Sequence, residues 1–312
     1  MTTTWSEYEE QGYTCLIGEN ERIIVHIVPE RGGKIISLAD KRTGREWIHR
    51  TDRPWQELHY GMRWDEGDRG GWDEMFPTIE ACPCPDEPWT DKRYPDHGEV
   101  WCMPWNREFD GDRLILSVEG VQVPYRLTKT IALDGNELKI DYRLDNNTPH
   151  VFSYLWAAHP LLAVSPGMKL DTEPSSGNIQ ISYSHLDRIG KQLDVTCYPI
   201  APTKNGDEVN LSVIEDGSTL AAEKYYFTDA LQEGYASLAD PVTSDRISFR
   251  FSPEENPYLA IWANYGGFDD YTFAIEPASG YMDSVDYAHR IGKVKQVQGH
   301  STNRWTLRVA LD

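Results

Sequence analysis

Tyr125-Arg-Leu-Thr-Lys-Thr-Ile-Ala-Leu133, then Asp134-Gly135-Asn136, then Glu137-Leu-Lys-Ile-Asp-Tyr-Arg-Leu144 is the stretch that decides the fold. Two segments rich in β-branched and aromatic residues alternate on either side of a tight turn, and Gly and Asn tolerate the positive φ that such turns require. The same signature recurs at 22–28, 113–118, 246–251, 258–262 and 305–311, with polar punctuation between the runs. No window sustains a long amphipathic helical period. Short helical turns are expected only near 228–233 and 282–287. There is no repeat of fixed period, no low-complexity tract and no Gly/Ser linker, so the reading is all-β, a single antiparallel β domain over residues 1–312. Residues 63–104 depart from it. Dense in Gly, Pro, Trp and acidic residues, they predict long irregular loops carried by a sheet, where sites tend to lie.

Composition narrows the function. The 312 residues include 11 Trp and 17 Tyr, side chains that pair a flat apolar face with a polar tip. Carbohydrates suit such surfaces, because their C–H faces stack on rings while their hydroxyls seek hydrogen bonds. A large β core also consumes aromatics. A net charge of −20, from 50 acidic and 30 basic residues, repels phosphate backbones and anionic membranes, so neither nucleic acid nor a membrane is expected as a partner. Residues 1–10 lack a basic region followed by an apolar run, and the expected location is the cytoplasm. Cys15, Cys82, Cys84, Cys102 and Cys197 are odd in number and irregularly spaced, as for reduced thiols.

Three short segments carry the chemistry. Asp96-His97-Gly98 is turn-like and can present an imidazole to a cleft. His159, in an apolar strand-like run ending in Pro160, must find partners or shift its pKa; a satisfied core histidine is the bland alternative. Glu276, beside Pro277 at a strand end, is a candidate general base or a solvated strand-end acid. Cys82-Pro-Cys84, His97 and Cys102 lie close enough in sequence to raise a zinc site, but the spacing matches no standard finger, and no metal is expected. Gly-x-Gly-x-x-Gly, Walker, His-Glu-x-x-His and Gly-x-Ser-x-Gly motifs are missing.

Taken in order, Val28-Pro-Glu-Arg-Gly-Gly-Lys-Ile-Ile-Ser-Leu38, Gly70-Gly-Trp-Asp-Glu-Met-Phe-Pro77, Asp96-His97-Gly98, His159-Pro160 and Glu276-Pro277 resemble the aldose 1-epimerase (galactose mutarotase-like) superfamily. The resemblance implies a single large antiparallel β-supersandwich with an open groove for a sugar. It implies that Glu276 takes the proton from the anomeric hydroxyl, that His159 protonates the ring oxygen and that His97 is a second donor. Free Glu near 4.3 and free His near 6.5 suit the roles of carboxylate and imidazolium if nearby acids hold the His charged. Ring opening of this kind requires no cofactor. Asp229 matches the family's sugar-hydroxyl-binding aspartate, although a loop acid capping a short helix explains it equally well. Asp73, Glu74, Trp72 and Trp101 complete the expected sugar-binding set.

Two departures from the family pattern bear on the substrate. Galactose mutarotases carry Asn-Arg where this chain has Asp73-Glu74, and the hexose-6-phosphate branch has an Arg after its His-Gly where this chain has Glu99. Loss of that cation points to an unphosphorylated monosaccharide, unless Arg31, Arg63 or Arg69 compensates. Two other readings stay open: a glycosidase-like enzyme using Asp73, Glu74 and Glu276 as paired carboxylates, and a noncatalytic sugar-binding or sensor protein. Oligomeric state is not legible.

Overall fold

A computed structural model of the chain describes residues 2–312. Two large antiparallel sheets carry the fold. The larger has 11 strands, and its middle runs Lys34–Asp40, Trp72–Met75, Ala157–Pro160, Tyr271–Ala278, Tyr258–Tyr265, Ala221–Phe227 in spatial order. The smaller has eight, centred on Arg246–Phe251, Thr302–Leu311, Glu137–Asn146 and Tyr125–Asp134. One hydrophobic core joins their facing sides: Trp72 of the larger sheet meets Phe249 of the smaller with ring centroids 6.1 Å apart. The architecture is the expected all-β sandwich.

The opening stretch folds as read. Leu133 pairs with Leu138 and Asp134 with Glu137, which leaves Gly135, at φ +57°, and Asn136 as the turn. Tyr125, Leu127, Lys129, Ile131 and Leu133 are buried while their neighbours face outward, the period of two that one wet and one dry face imposes. Lys129 breaks the apolar rule on the dry face. Its ammonium donates to Glu74 Oε1 (3.0 Å) and to the Gly33 carbonyl (2.8 Å), so the buried charge is paired.

The helix expectation needs correction. Residues 228–233 form bends, not a helix. The only α-helix among the described residues is Val285–Arg290, starting three residues later than the 282–287 reading and capped by Ser284, whose Oγ accepts from the Tyr287 N–H at 3.2 Å. Among the described residues, no helix is long and apolar enough to cross a membrane.

Candidate active site

Sheet register assembles the centre of the site. His159 pairs directly with Asp73 on one side of its strand, and Ala157 pairs with Ala278 on the other. Glu276 lies opposite Ala260, and Ala260 opposite Tyr226, in one rung across three strands. Directly opposed residues project from the same face, and so do residues i and i+2 on one strand. Glu276, Tyr226 and Lys224 therefore share a face, with only the Ala260 methyl between them. Thr272, four residues before Glu276, shares that face and lines the same pocket.

A pocket of about 370 Å³ opens over this face. His97, His159 and Lys224 line it, and Glu276 lies fully buried behind the last two. His159 Nε2 is 3.9 Å from Glu276 Oε1, and Lys224 Nζ is 2.9 Å from Oε2 and 3.0 Å from Asp283 Oδ1. The lysine is an ion-pair partner, not an aligned donor, so both Glu276 oxygens lack a well-formed hydrogen bond. Asp283 is better served, accepting from Tyr226 Oη (2.8 Å) and from Ser182.

Trp64 organises the two imidazoles. Its ring stacks on His97 at 5.2 Å and 16° and meets His159 edge-on at 5.1 Å; the two imidazole centroids are 5.4 Å apart. Its indole N–H donates to Asp73 Oδ2 (2.9 Å), and its backbone N–H donates to Asp96 Oδ2 (2.9 Å). Asp96 Oδ1 lies 3.1 Å from His97 Nδ1. His97 occupies the left-handed region at φ +57°, and Gly98 follows at φ +75°. A Cβ on Gly98 would stand 2.1 Å from the Phe76 carbonyl oxygen, so the close approach that aims His97 requires glycine.

The protonation pattern departs from expectation. Burial lowers His159 well below the ordinary imidazole value, and the electrostatic influence of His97, Lys224 and Lys34 pushes the same way. Nearby acids do not hold it charged. Burial raises Glu276 above the ordinary carboxylate value, and the Lys224 ammonium opposes that rise. Asp283 is held below its ordinary value, because Lys224, Ser182 and Tyr226 outweigh the cost of burial.

The expected sugar-binding set is largely redistributed. Asp73 and Glu74 are neighbours on one strand and point to opposite faces. Asp73 turns toward the site but is buried, holding Trp64 and standing 3.4 Å from Lys34 Nζ. Glu74 turns into the core and accepts from Lys129, Tyr142 Oη (2.9 Å) and Trp156 Nε1 (2.9 Å). Trp72, two residues from Glu74, is in the core as well, and none of the three lines the pocket. Trp101 is also buried, donating to the Asp96 carbonyl at 3.1 Å and so propping the His97 loop from behind. Asp229 is exposed and lies outside the pocket. Of the arginines considered, Arg69 alone lines the pocket, donating to the carbonyls of Asp65 and Phe268.

Sequence reasoning missed Lys224, Asp283, Trp64 and the aromatic group Tyr183, Trp262 and Phe268, all on the pocket wall. A signal existed for the first. Lys224 sits in Ala-Ala-Glu-Lys-Tyr-Tyr-Phe, a strand buried along its whole length, and a lysine there has to find carboxylates. Among the described residues, no three His, Cys, Asp or Glu side chains are grouped to hold a metal ion, and all five cysteines are free thiols.

No protein-family model matches the chain. A segment of 137 residues is 29% identical to phosphoglycerate kinase of Streptococcus equi, covering 43% of this chain and 34% of the kinase. The chain thus spans about a third of the curated relative's length, too little to carry an activity across. Whole-chain likeness appears in three dimensions. The Slr1438 protein of Synechocystis sp. PCC 6803 matches with a TM-score of 0.69 and 18% identity over 99% of this chain and 96% of that one. A protein proposed to be an aldose 1-epimerase from Klebsiella pneumoniae matches with a TM-score of 0.71 and 16% identity over 100% and 84%. A galactose mutarotase-like protein from Lactobacillus casei matches with a TM-score of 0.63 and 18% identity over 96% and 100%. The fold is that of the galactose mutarotase-like proteins.

Proposed function

We propose that this chain interconverts the α and β anomers of a free, unphosphorylated sugar, an aldose 1-epimerase-like activity. The observation that carries the reading is the buried imidazole–carboxylate pair, His159 and Glu276 at 3.9 Å, set at the wall of a sugar-sized pocket with His97 alongside. Opening a cyclic hemiacetal needs a proton taken from O1 and one delivered to the ring oxygen. Glu276 takes the first, His159 delivers the second, and His97 is a second donor near the ring oxygen. Each positioned group contributes on the order of 10²–10⁴-fold. The opened aldehyde rotates about C1–C2 and closes on either face, and no cofactor enters the scheme.

Two features of the site shape this chemistry. Because His159 is lowered, its imidazolium is a minority form at neutral pH but a strong acid, so population is exchanged for driving force. Because Glu276 is fully buried behind His159 and Lys224, one of these side chains has to shift before a hydroxyl can reach it. The Lys224 ammonium, 2.9 Å from Oε2, stays close enough to stabilise negative charge that develops there.

Pocket electrostatics supports a neutral substrate. Asp65, Glu80, Asp96, Asp270 and Asp283 line it against Arg69 and Lys224, and both cations face carboxylates. A phosphate would meet excess negative charge with no free cation. The glycosidase-like reading loses Glu74, which the core engages on both oxygens. The test is anomer exchange of free aldoses, followed by polarimetry or exchange NMR, with Glu276→Gln and His159→Gln variants that remain folded. Saturable sugar binding with an unchanged exchange rate points instead to a noncatalytic sensor, and full activity in Glu276→Gln overturns the assignment of the base.

A further inference from the structure

Asp283 stands in the segment between the Tyr271–Ala278 strand and the helix, and both its backbone and its side chain are pinned. Its carbonyl accepts from the Ile79 N–H (2.9 Å), the Glu80 N–H (2.7 Å) and Thr78 Oγ1 (3.2 Å). Met282 before it is buried and occupies the left-handed region at φ +65°, which a non-glycine residue keeps only where its surroundings impose it. The Asp283 carboxylate takes Tyr226 Oη on Oδ1 and Ser182 on Oδ2. Burial acts to raise this group, but Lys224 and those two donors hold it below its ordinary value, so it stays ionised. Lys224 Nζ lies 3.0 Å from Asp283 Oδ1 and 2.9 Å from Glu276 Oε2. One ammonium thus stands between a carboxylate that other donors already serve and one whose two oxygens lack a well-formed hydrogen bond.

We propose that Asp283 is a positioning residue: by holding the Lys224 ammonium at a shared point it stops that cation from closing onto Glu276, and so leaves Glu276 able to take the anomeric proton. This role rests on the anomer-exchange reading of Glu276. A cation that two anions share gives each of them less than a pair of its own would. With Asp283 gone, Lys224 turns wholly to Glu276, and a carboxylate that gains a charge-assisted hydrogen bond is a weaker base. His159 at 3.9 Å, Tyr226 and His97 are the other titratable groups that act on or feel Glu276, and Asp283 is the carboxylate of that set.

Titration of Glu276 reads this role without any sugar. In protein isotope-labelled at the glutamate carboxyl carbons, the Glu276 NMR signal is the one lost in Glu276→Gln. Asp283→Asn keeps the shape and removes the charge. It is expected to lower the Glu276 midpoint by about one pH unit, and the limb of the anomer-exchange profile that Glu276 governs should move down with it while KM for a neutral aldose stays within about twofold. In the Lys224→Met background the same replacement should move the midpoint by less than about half a unit, because no ammonium is left to redirect. If Asp283→Asn alone does not fold, Lys224→Met and the double variant still give the deciding comparison, since the double variant keeps only Glu276 of the three charged groups. Equal shifts with and without Lys224 mean simple repulsion between the carboxylates and overturn the inference. An unmoved midpoint overturns it too, as does a KM that rises while the limb stays, which makes Asp283 a sugar ligand. The expected midpoint shifts in a protein that accelerates exchange of no sugar sink the anomer-exchange reading and preserve the positioning of Lys224.

Discussion

Replacing Lys224 with methionine should move both limbs of the pH–rate profile of anomer exchange to higher pH. The proposed chemistry needs Glu276 ionised and His159 protonated, so rate falls below the apparent value of the first and above that of the second. Burial raises Glu276 and lowers His159, which narrows the window and puts its basic limb below 6.5. The ammonium of Lys224 acts on both groups. At 2.9 Å from Glu276 Oε2 its gross attraction is about 6 kcal/mol at an effective dielectric of about 20. Asp283 shares the same cation at 3.0 Å, and burial offsets a further part. If about a quarter survives as a net effect, roughly 1.4 kcal/mol, the limb moves by about one pH unit and the rate on it by about tenfold. Without the cation Glu276 holds its proton more tightly, so the acidic limb rises. His159 loses a repelling neighbour, so the basic limb rises too. The assay is kcat/KM for a neutral aldose from about pH 4 to 9, with Lys224→Arg as the charge-retaining control. A profile that stays in place, or limbs that move in opposite directions, means that Glu276 and His159 are not the titrating pair.

Other expectations follow from single contacts. Burial raises Glu223 to about 7 while Arg188 opposes it, so the native state keeps a proton that the unfolded chain releases near 4.5. That stabilisation is complete below about 4.5 and is lost as pH rises through about 7; urea unfolding should show a decline on the order of 2–3 kcal/mol between about pH 5 and 8, flattened in Glu223→Gln. Gly98→Ala forces a Cβ to within 2.1 Å of the Phe76 carbonyl, and the displaced His97 loop should cost on the order of 10²-fold in kcat/KM together with a lower melting temperature. Lys129→Met leaves Glu74 as an uncompensated buried charge and should destabilise by about 3–5 kcal/mol in denaturant titrations, partly recovered when Glu74→Gln is added.

Strands were legible because their signal is local. The hairpin at 125–144, the run at 246–251 and the last strand each declare themselves within ten residues, through alternation and turn chemistry. His97, His159 and Glu276 were legible as chemical types, and the sheet register brings the last two together. What failed required knowledge of faces and neighbours. Trp72 and Glu74 sit beside Asp73, yet the pleat sends them into the core, and only the position of the second sheet decides which face that is. The Lys224–Asp283–Glu276 network joins residues up to 59 positions apart, beyond any local pattern. His159's lowered value has the same origin, since beside burial its causes, His97, Lys224 and Lys34, come from three separate parts of the chain.

The division of the site between regular and irregular backbone has a consequence for how such a protein diversifies. His159, Glu276 and Lys224 stand on three of four successive central strands, locked by hydrogen-bonded rungs, whereas Trp64, Arg69, Gln192 and Phe268 come from connecting segments. Loop sequences can drift, lengthen or be exchanged without disturbing the relative placement of the proposed proton donor and acceptor. Changes of preferred ligand are therefore decoupled from changes of reaction, and grafting the rim of one such sandwich onto another is a practical route to altered selectivity.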